Sequence, residues 1–407
     1  MKGAGNKATL GIEARESLAS ELAKLVENAQ GLIDDLDLKA VRTWKDAAPG
    51  RKAIGYMPIY VPRELIHAAG MLPVGIMGAG ERLEIIRGDA YFQSYICHIP
   101  RSTIELALSR RLDVLDGMLF PSICDVIRNL SGMWRLLFPE RYVRYVDLPQ
   151  NFESEVGGQF WRQELESLRD DFARLTGQAI SDDALRNSIA VYNENRAAIR
   201  ELYQARSRQP WFFPISEVYP VLRAGNVLPP EEHTGLLRQY LQLAHRQADR
   251  HERDQSRVVL VGMFCEQPPL GLLLTLERAG CWIVDDDLLL GLRWTSGDVS
   301  TEGDPLQALV EAFLTQSAET AARYLPEGQR GRALVESVRR NHADGVVFCA
   351  PSFCDPALLE QPMLVAQLDR EGIPHTQFKY SEDTGQFAVI REQVGTFSDS
   401  IRLWSEA

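Results

Sequence analysis

Two segments of the chain, residues 116–125 and 344–355, repeat one short pattern, and this repeat strongly limits the possible folds. Both read Asp-Gly, three apolar residues and Pro-Ser-x-Cys-Asp, once Cys349 and Ala350 are counted as a two-residue insertion. The apolar triplets have the length and character of short buried parallel strands. Pro-Ser and the final Asp are typical of turns and helix starts. The pattern therefore predicts that a cysteine in each copy lies just beyond the carboxyl end of a strand, where a helix begins.

The surroundings of the two copies indicate an internal duplication. In each half the chain passes through a strand, a helix ending in Ala-Gly, a second strand, and then the Asp-Gly strand that leads to Cys-Asp. This order predicts an α/β protein with two doubly wound, Rossmann- or flavodoxin-like parallel-sheet domains and additional N-terminal and central helical segments. We expect an N-terminal helical segment at 1–50, a first α/β domain with a helical extension at 51–214, and a second α/β domain at 215–407.

Charge and hydropathy argue against two classes of partner. The 407 residues carry a net charge of −12, whereas a nucleic-acid-binding face would have to be basic. No apolar run approaches the roughly 20 residues that cross a bilayer. Residues 1–10 also lack the apolar stretch of a secretory signal. The sequence therefore predicts a cytoplasmic protein that binds neither nucleic acid nor membranes.

The six cysteines are unequal as ligand candidates. In a reducing compartment they are not expected to form disulfides, and no C-x-x-C pair is present. Cys97, Cys124 and Cys354 each precede a predicted helix, whose free N–H groups and partial positive charge favour a thiolate and an anionic iron–sulfur cluster. Cys281 and Cys349 are interpreted as buried residues that fill apolar space. For Cys265 two roles stay open, a residue next to the cofactor or a buried apolar filler.

Two arginines are candidates for substrate binding. Arg101 and Arg128 each lie four residues after a proposed ligand cysteine, and in a helix this offset places the guanidinium on the cysteine's face. A cation there would offset cluster charge or meet a substrate phosphate. Surface ion pairing is the alternative role for both.

A histidine and a run of aspartates are candidates for proton transfer. His98 adjoins Cys97, and imidazole can donate a proton near neutral pH. Asp286 is the middle residue of Asp285–Asp287, which stands at the carboxyl end of a predicted strand, where catalytic carboxylates are found. The alternatives are a polar neighbour for the histidine and loop or helix-cap roles for the aspartates.

Several longer tracts resemble one known family over nearly the whole chain. They are Gly55-Tyr-x-Pro, Pro62-Arg-Glu-Leu-Ile-His-Ala-Ala-Gly70, Phe92-Gln-Ser-Tyr-x-Cys97, Phe120-Pro-Ser-x-Cys124-Asp125 and Phe353-Cys354-Asp355-Pro356. On these residues the chain resembles the benzoyl-CoA reductase and 2-hydroxyacyl-CoA dehydratase superfamily. The tracts 264–269 and 384–397 are closer to the benzoyl-CoA reductase branch, and in particular to its smaller cluster-bearing catalytic subunit.

The resemblance implies a cofactor, partners and a reaction. It implies that Cys97, Cys124 and Cys354 bind an iron–sulfur cluster, a [4Fe–4S] cluster or, as in some relatives, a double cubane. It further implies a homologous cluster-bearing subunit, ATP-hydrolysing iron–sulfur electron-activating subunits, ferredoxin upstream and an acyl-CoA substrate. The absence of a phosphate-binding loop motif fits this division of labour, because ATP would be hydrolysed by the partner.

The implied reaction is an ATP-driven reduction of the aromatic ring of an aryl-CoA such as benzoyl-CoA. Electrons and protons added in alternation to the thioester-conjugated ring would give a cyclic dienoyl-CoA. Two alternatives stay open at this point. One is a subunit of a 2-hydroxyacyl-CoA dehydratase, which eliminates water, and the other is a non-catalytic electron-transfer subunit.

Overall fold

The computed structural model describes residues 3–264, 267–326, 328–381 and 387–405, and within them two parallel sheets of four strands. The strands of the first sheet stand in the order β2-β1-β3-β4, with bounds β1 Ala53–Tyr56, β2 Leu72–Gly75, β3 Gly117–Pro121 and β4 Tyr142–Val146. The second sheet has the order β6-β5-β7-β8, with bounds β5 Ser256–Val261, β6 Cys281–Asp286, β7 Gly345–Pro351 and β8 His375–Tyr380. Both sheets thus follow one strand order, and the prediction of two duplicated α/β units is confirmed.

Helices connect the strands and cover the sheets. The α-helices are α1 Gly3–Asp34, α2 Lys39–Asp46, α3 Arg63–Ala68, α4 His98–Leu108, α5 Asp125–Leu137, α6 Gln159–Thr176, α7 Asp182–Arg208, α8 Ile215–Arg223, α9 Pro230–His245, α10 Leu270–Arg278, α11 Leu290–Arg293, α12 Pro305–Gln316, α13 Arg332–Arg340, α14 Asp355–Arg370 and α15 Phe387–Ser405. Every residue of β1, β2, β3 and β7 is buried, as expected for parallel strands covered on both faces. Among the described residues, no helix combines the length and the apolar character needed to span a membrane.

The two-residue insertion of the repeat lies inside a strand. β7 has seven residues and β3 has five, and both end at the proline of the repeated pattern. The strands start in the same register, because Gly117 pairs with Ile54 and Gly345 with Val258. Cys349 therefore extends β7 and is fully buried.

Two helices end where the chain after them takes other contacts. Helix α12 stops at Gln316, because the chain then pairs with the segment after α11: Ser296 N–H donates to the carbonyl of Gln316 and Ala318 N–H to that of Trp294. Helix α9 stops at His245 and is followed by a run of polar residues.

Helix α7 contributes to the hydrophobic cores of both halves. Its Leu185 and Ile189 pack in the core of the first sheet, whereas Ile199 and Leu202 pack in the core of the second. The apolar residues of α7 recur at helical spacing, so the first part of the helix packs against one core and the later part against the other. This shared helix holds the two sheets as neighbours.

Candidate functional site

One cavity of about 440 Å³ brings the three proposed ligand cysteines together. Cys97, Cys124 and Cys354 all line it, although 230 residues separate Cys124 from Cys354 in the sequence. The cavity lies beyond the carboxyl ends of β3 and β7, the edge at which open α/β sheets bind ligands. The rest of its lining comes from both halves: Met57, Pro58, Ile99, Ile123, Asp125, Val126, Ile127, Ala321, Arg330, Phe353, Asp355, Pro356, Leu359, Glu360 and Met363.

Each of the three cysteines is the N-cap residue of a helix. Cys97 precedes α4, Cys124 precedes α5 and Cys354 precedes α14. Ser, Thr, Asp and Asn are the residues that cap helices best, and none of them occupies these three positions. Three helix N-termini therefore face one cavity, and their free N–H groups and dipoles stabilise negative charge there.

Burial acts against the thiolate form of Cys124. Desolvation raises the pKa of this thiol, although the main-chain N–H groups of Ile127 and Val126 favour the anion. The nearby Cys354 sulfur raises the pKa further, because two thiolates repel each other. Without a metal the thiol is thus protonated at neutral pH, so metal binding must release a proton.

The donor set of the cavity consists of three thiols in an otherwise largely apolar lining. Within the described ranges, no three His, Cys, Asp or Glu side chains converge on a point where they would hold one metal ion. Thiolates are the usual ligands of iron–sulfur clusters, in which each binds a different iron, so these three cysteines are the residues that could hold such a group.

A buried ion pair in the cavity wall has no counterpart among the sequence predictions. Nη1 of Arg330 lies 2.7 Å from Oε1 of Glu360, and both side chains are largely buried. Arg330 also donates to the carbonyl oxygens of Thr320 and Arg323, which fixes its guanidinium. Burial raises the pKa of Glu360, while Arg330 opposes that effect. Glu360 lies four residues after Pro356 on the same face of α14, so helical spacing could have identified it as lining, but the loop containing Arg330 has no such pattern.

The structure places the two predicted substrate-binding arginines outside the cavity lining. Arg101 forms an ion pair with Asp89, with Nη2 at 2.6 Å from Oδ1 and Nε at 2.8 Å from the same atom. Arg128 lies on the exposed side of α5. The offset of four residues puts these arginines on the cysteines' helices without turning them toward the cavity.

His98 is the first residue of α4, directly after Cys97, and is half-buried. It is not part of the cavity lining. The structure therefore places this imidazole beside a proposed ligand but outside the space that a substrate would occupy.

Asp286 is the last residue of β6 and does not line the cysteine cavity. Its side chain is fully buried, pairs with Arg206 at 2.5 Å and accepts a hydrogen bond from the Tyr203 hydroxyl at 2.8 Å. This is the geometry of a structural ion pair.

The two flanking aspartates are also bound within the fold. Asp285 pairs with Arg293 at 3.4 Å, and Asp287 accepts main-chain hydrogen bonds from Gly262 and Met263. Burial raises the pKa of Asp287 to about 7, despite those two donors.

The remaining cysteines lie outside the cavity or outside the described residues. Cys281 begins β6, is fully buried, and has a pKa raised to about 12 by burial. Cys349, in β7, is equally buried, and desolvation raises its pKa strongly. The position of Cys265 falls outside the described residues.

Comparison with known proteins identifies the family. The family model described as "2-hydroxyglutaryl-CoA dehydratase, D-component" matches residues 58–401. The chain is 56% identical to a benzoyl-CoA reductase subunit of Thauera aromatica, over 94% of this chain and 99% of that protein. It is 31% identical to the beta subunit of (R)-2-hydroxyglutaryl-CoA dehydratase of Acidaminococcus fermentans, over 88% of this chain and 94% of that protein.

A further relative is the beta subunit of (R)-phenyllactyl-CoA dehydratase of Clostridium sporogenes, 28% identical over 86% of this chain and 92% of that protein. Reductase and dehydratase subunits thus both align along nearly the full chain, and the resemblance inferred from the motifs is confirmed. The chain belongs to the 2-hydroxyglutaryl-CoA dehydratase, D-component family.

Proposed function

We propose that this chain is an iron–sulfur catalytic subunit of an ATP-driven aryl-CoA reductase that reduces the aromatic ring of benzoyl-CoA or a related thioester. The single observation that carries the proposal is the convergence of Cys97, Cys124 and Cys354 on one cavity, each at a helix N-terminus. The reductase is favoured over a dehydratase by the 56% identity to the Thauera reductase subunit, against 31% and 28% to the Acidaminococcus and Clostridium dehydratase subunits.

In this proposal the three cysteines bind the cluster, as a [4Fe–4S] group or as part of a double cubane. When bound, the cluster would supply single electrons of low potential. The chain's own contribution is electrostatic and steric. Three helix N-termini stabilise the anionic site, and apolar side chains such as Ile99, Ile123 and Met363 exclude water from it.

Protons for the reduced ring would come from groups that face the cavity. The carboxylates in its lining are Asp125, Asp355 and Glu360, whereas Asp286 is enclosed elsewhere with Arg206. We therefore propose one of these three lining carboxyl groups as the proton source in place of Asp286. His98 is the alternative outside the lining, because it is half-buried beside Cys97.

The exposed apolar residues at the mouth of the cavity support the proposal that partner molecules bind there. Phe353, Leu359 and Met363 are large apolar residues that line the cavity and are at least half exposed. Covering such side chains with another surface removes apolar area from water, which stabilises the complex. In the proposed complex a homologous cluster-bearing subunit and the acyl-CoA cover this mouth, and ATP-hydrolysing iron–sulfur subunits relay electrons from ferredoxin.

The test is anaerobic purification of the chain with its co-expressed partners, followed by iron, sulfide and EPR analysis. We expect bound iron and sulfide, and benzoyl-CoA-dependent oxidation of a low-potential donor that requires ATP. A complex that eliminates water from a 2-hydroxyacyl-CoA after brief activation would identify a dehydratase instead. Iron without any response to either thioester would indicate an electron-transfer subunit.

A further inference from the structure

A second cavity, of about 930 Å³, lies in the second half of the chain and shares no lining residue with the cysteine cavity. Its walls come from α7, the edge strand β6, the end of α11 with the segment after it, and the end of α13. We call it the arginine cavity, because its lining contains five arginines: Arg200, Arg208, Arg257, Arg293 and Arg340. The chain as a whole carries a net charge of −12, so this local excess of cations runs against its composition.

The carboxylates around the arginine cavity do not neutralise it. Asp285 is the acidic residue in the lining, and it lies 3.4 Å from Arg293 and 3.8 Å from Arg340. Asp286, outside the lining, lies 3.8 Å from Arg293 but pairs more closely with Arg206. Arg200 pairs with Asp298 at 2.6 Å outside the lining. Among the described residues, the other two arginines have no carboxylate within 4.0 Å: Arg208 and Arg257.

Arg257 is fixed by neutral partners. Its guanidinium donates to the main-chain carbonyl oxygens of Ser207, Asn341 and His342, the last at 3.0 Å. Asp344 attracts it at longer range and binds its main-chain N–H. Burial lowers the pKa of Arg257, which means that its charge is poorly solvated. A preorganised, poorly solvated guanidinium is well suited to bind an anion.

Two further guanidinium nitrogens are left for a ligand. Nη1 of Arg200 and Nε of Arg293 are buried and have no hydrogen-bond partner in the described part of the chain. A buried donor without a partner is unfavourable, because it has lost its hydrogen bonds to water. An anion in the cavity would satisfy such donors.

We propose that the arginine cavity binds a small ligand that carries two or more phosphate groups. Guanidinium groups bind phosphate oxygens with paired, charge-assisted hydrogen bonds. The volume of about 930 Å³ falls within the range of small-molecule sites, about 300–1,000 Å³. The five arginines stand on four elements around the cavity (α7, β5, α11 and α13), and this arrangement suits a molecule that carries several phosphates. The site does not depend on iron–sulfur chemistry, so a nucleotide ligand would be independent of the proposed function. The coenzyme A outcome rests on the proposed function, because an acyl-CoA is its substrate.

Two kinds of molecule carry phosphate groups of this kind: a nucleotide, and a coenzyme A compound through its 3′-phospho-ADP part. Calorimetric titration of the full chain with pyrophosphate, ADP and CoA separates them. Pyrophosphate tests the shared chemistry, and the tighter of ADP and CoA identifies the source. We expect one site per chain that weakens with rising salt, because the attraction is ionic.

The discriminating variants are matched in charge. Arg208→Ala with Arg340→Ala removes two exposed cations from the cavity. Arg238→Ala with Arg339→Ala removes two equally exposed cations outside it, and Arg339 neighbours Arg340 on α13. We expect the first pair to weaken pyrophosphate and the preferred ligand at least about tenfold, and the second to change affinity less than about twofold.

Circular dichroism and the melting temperature verify that both double variants fold. Equal weakening in the two double variants would mean non-specific attraction and overturn the proposal. So would the absence of submillimolar binding of pyrophosphate, ADP and CoA to the unaltered chain.

Discussion

Cys124 and Cys354 occupy equivalent positions in the two halves of the chain. Each follows the last proline of its sheet's third strand by three residues and is the N-cap of the next helix. Because the two halves face each other, this equivalence brings both sulfurs to one cavity. Cys97 joins them from α4 in the first half only, and the cavity is therefore asymmetric although the halves are duplicated.

The first prediction concerns iron binding. Cys124→Ala and Cys354→Ala should each lose most of the iron bound to the anaerobically purified protein, because each removes a thiolate from the proposed site. The matched control is Cys281→Ala, a fully buried cysteine in β6 that lies outside the cavity. It should keep its iron while losing about 1–2 kcal/mol of stability. Equal iron loss from all three variants, measured per folded chain, would refute the ligand assignment.

The second prediction separates a structural role of Asp286 from a catalytic one. Asp286→Asn leaves the fully buried Arg206 without its carboxylate, and we expect the free energy of unfolding to fall by about 3–5 kcal/mol. Replacing both residues, as Arg206→Met with Asp286→Leu, should recover much of that loss because no buried charge remains. Urea denaturation measures both effects. A fully stable Asp286→Asn protein with no turnover would instead indicate catalysis.

The third prediction is a pH dependence of stability at Asp287. Burial raises its pKa in the folded chain to about 7 from an ordinary value of 3.8, so folding favours the protonated carboxyl. The stabilisation that the protonated Asp287 carboxyl gives to the folded state is complete below about pH 4 and is lost as the pH rises through 7. The stability of Asp287→Asn relative to the parent should therefore rise by up to a few kcal/mol between pH 4 and pH 8.

The measurement for Asp287 is the difference in melting temperature between variant and parent across that pH range. A difference that stays constant from pH 5 to pH 8 would show that the carboxyl is not titrating in this window. Asp183→Asn is a control, because that carboxyl is exposed and pairs with Arg186, which stays charged across this range, so its removal should leave the pH profile unchanged.

The fourth prediction concerns the ion pair in the cavity wall. Arg330→Gln leaves the largely buried Glu360 without its cation, which should lower stability by about 2–4 kcal/mol at pH 8. The loss should shrink toward pH 5, because the unpaired carboxyl then takes up a proton. Adding Glu360→Gln to the variant should restore stability at pH 8. If the single variant is as stable as the parent at every pH, the pair is not buried in solution.

Local patterns were sufficient to predict three strands in each half, the duplication and the three cysteines of the cavity, whereas β4 and β8 were not predicted. A short apolar run followed by Pro-Ser-x-Cys-Asp contains a buried strand, a turn and a helix start within about a dozen residues. The same reasoning places Arg101 and Arg128 on the helices of Cys97 and Cys124. It does not orient them, because the direction of an exposed side chain depends on neighbours such as Asp89.

The amino-acid sequence thus determines which segments become strands and helices, because those preferences act over a few neighbouring residues. Only the tertiary structure decides which charges meet. Arg330 reaches the cysteine cavity from a loop without pattern, and Asp286 is enclosed with Arg206, 80 residues earlier in the chain. Such pairings have no local signature, since their energy arises from burial and distance, which exist only after the chain has folded.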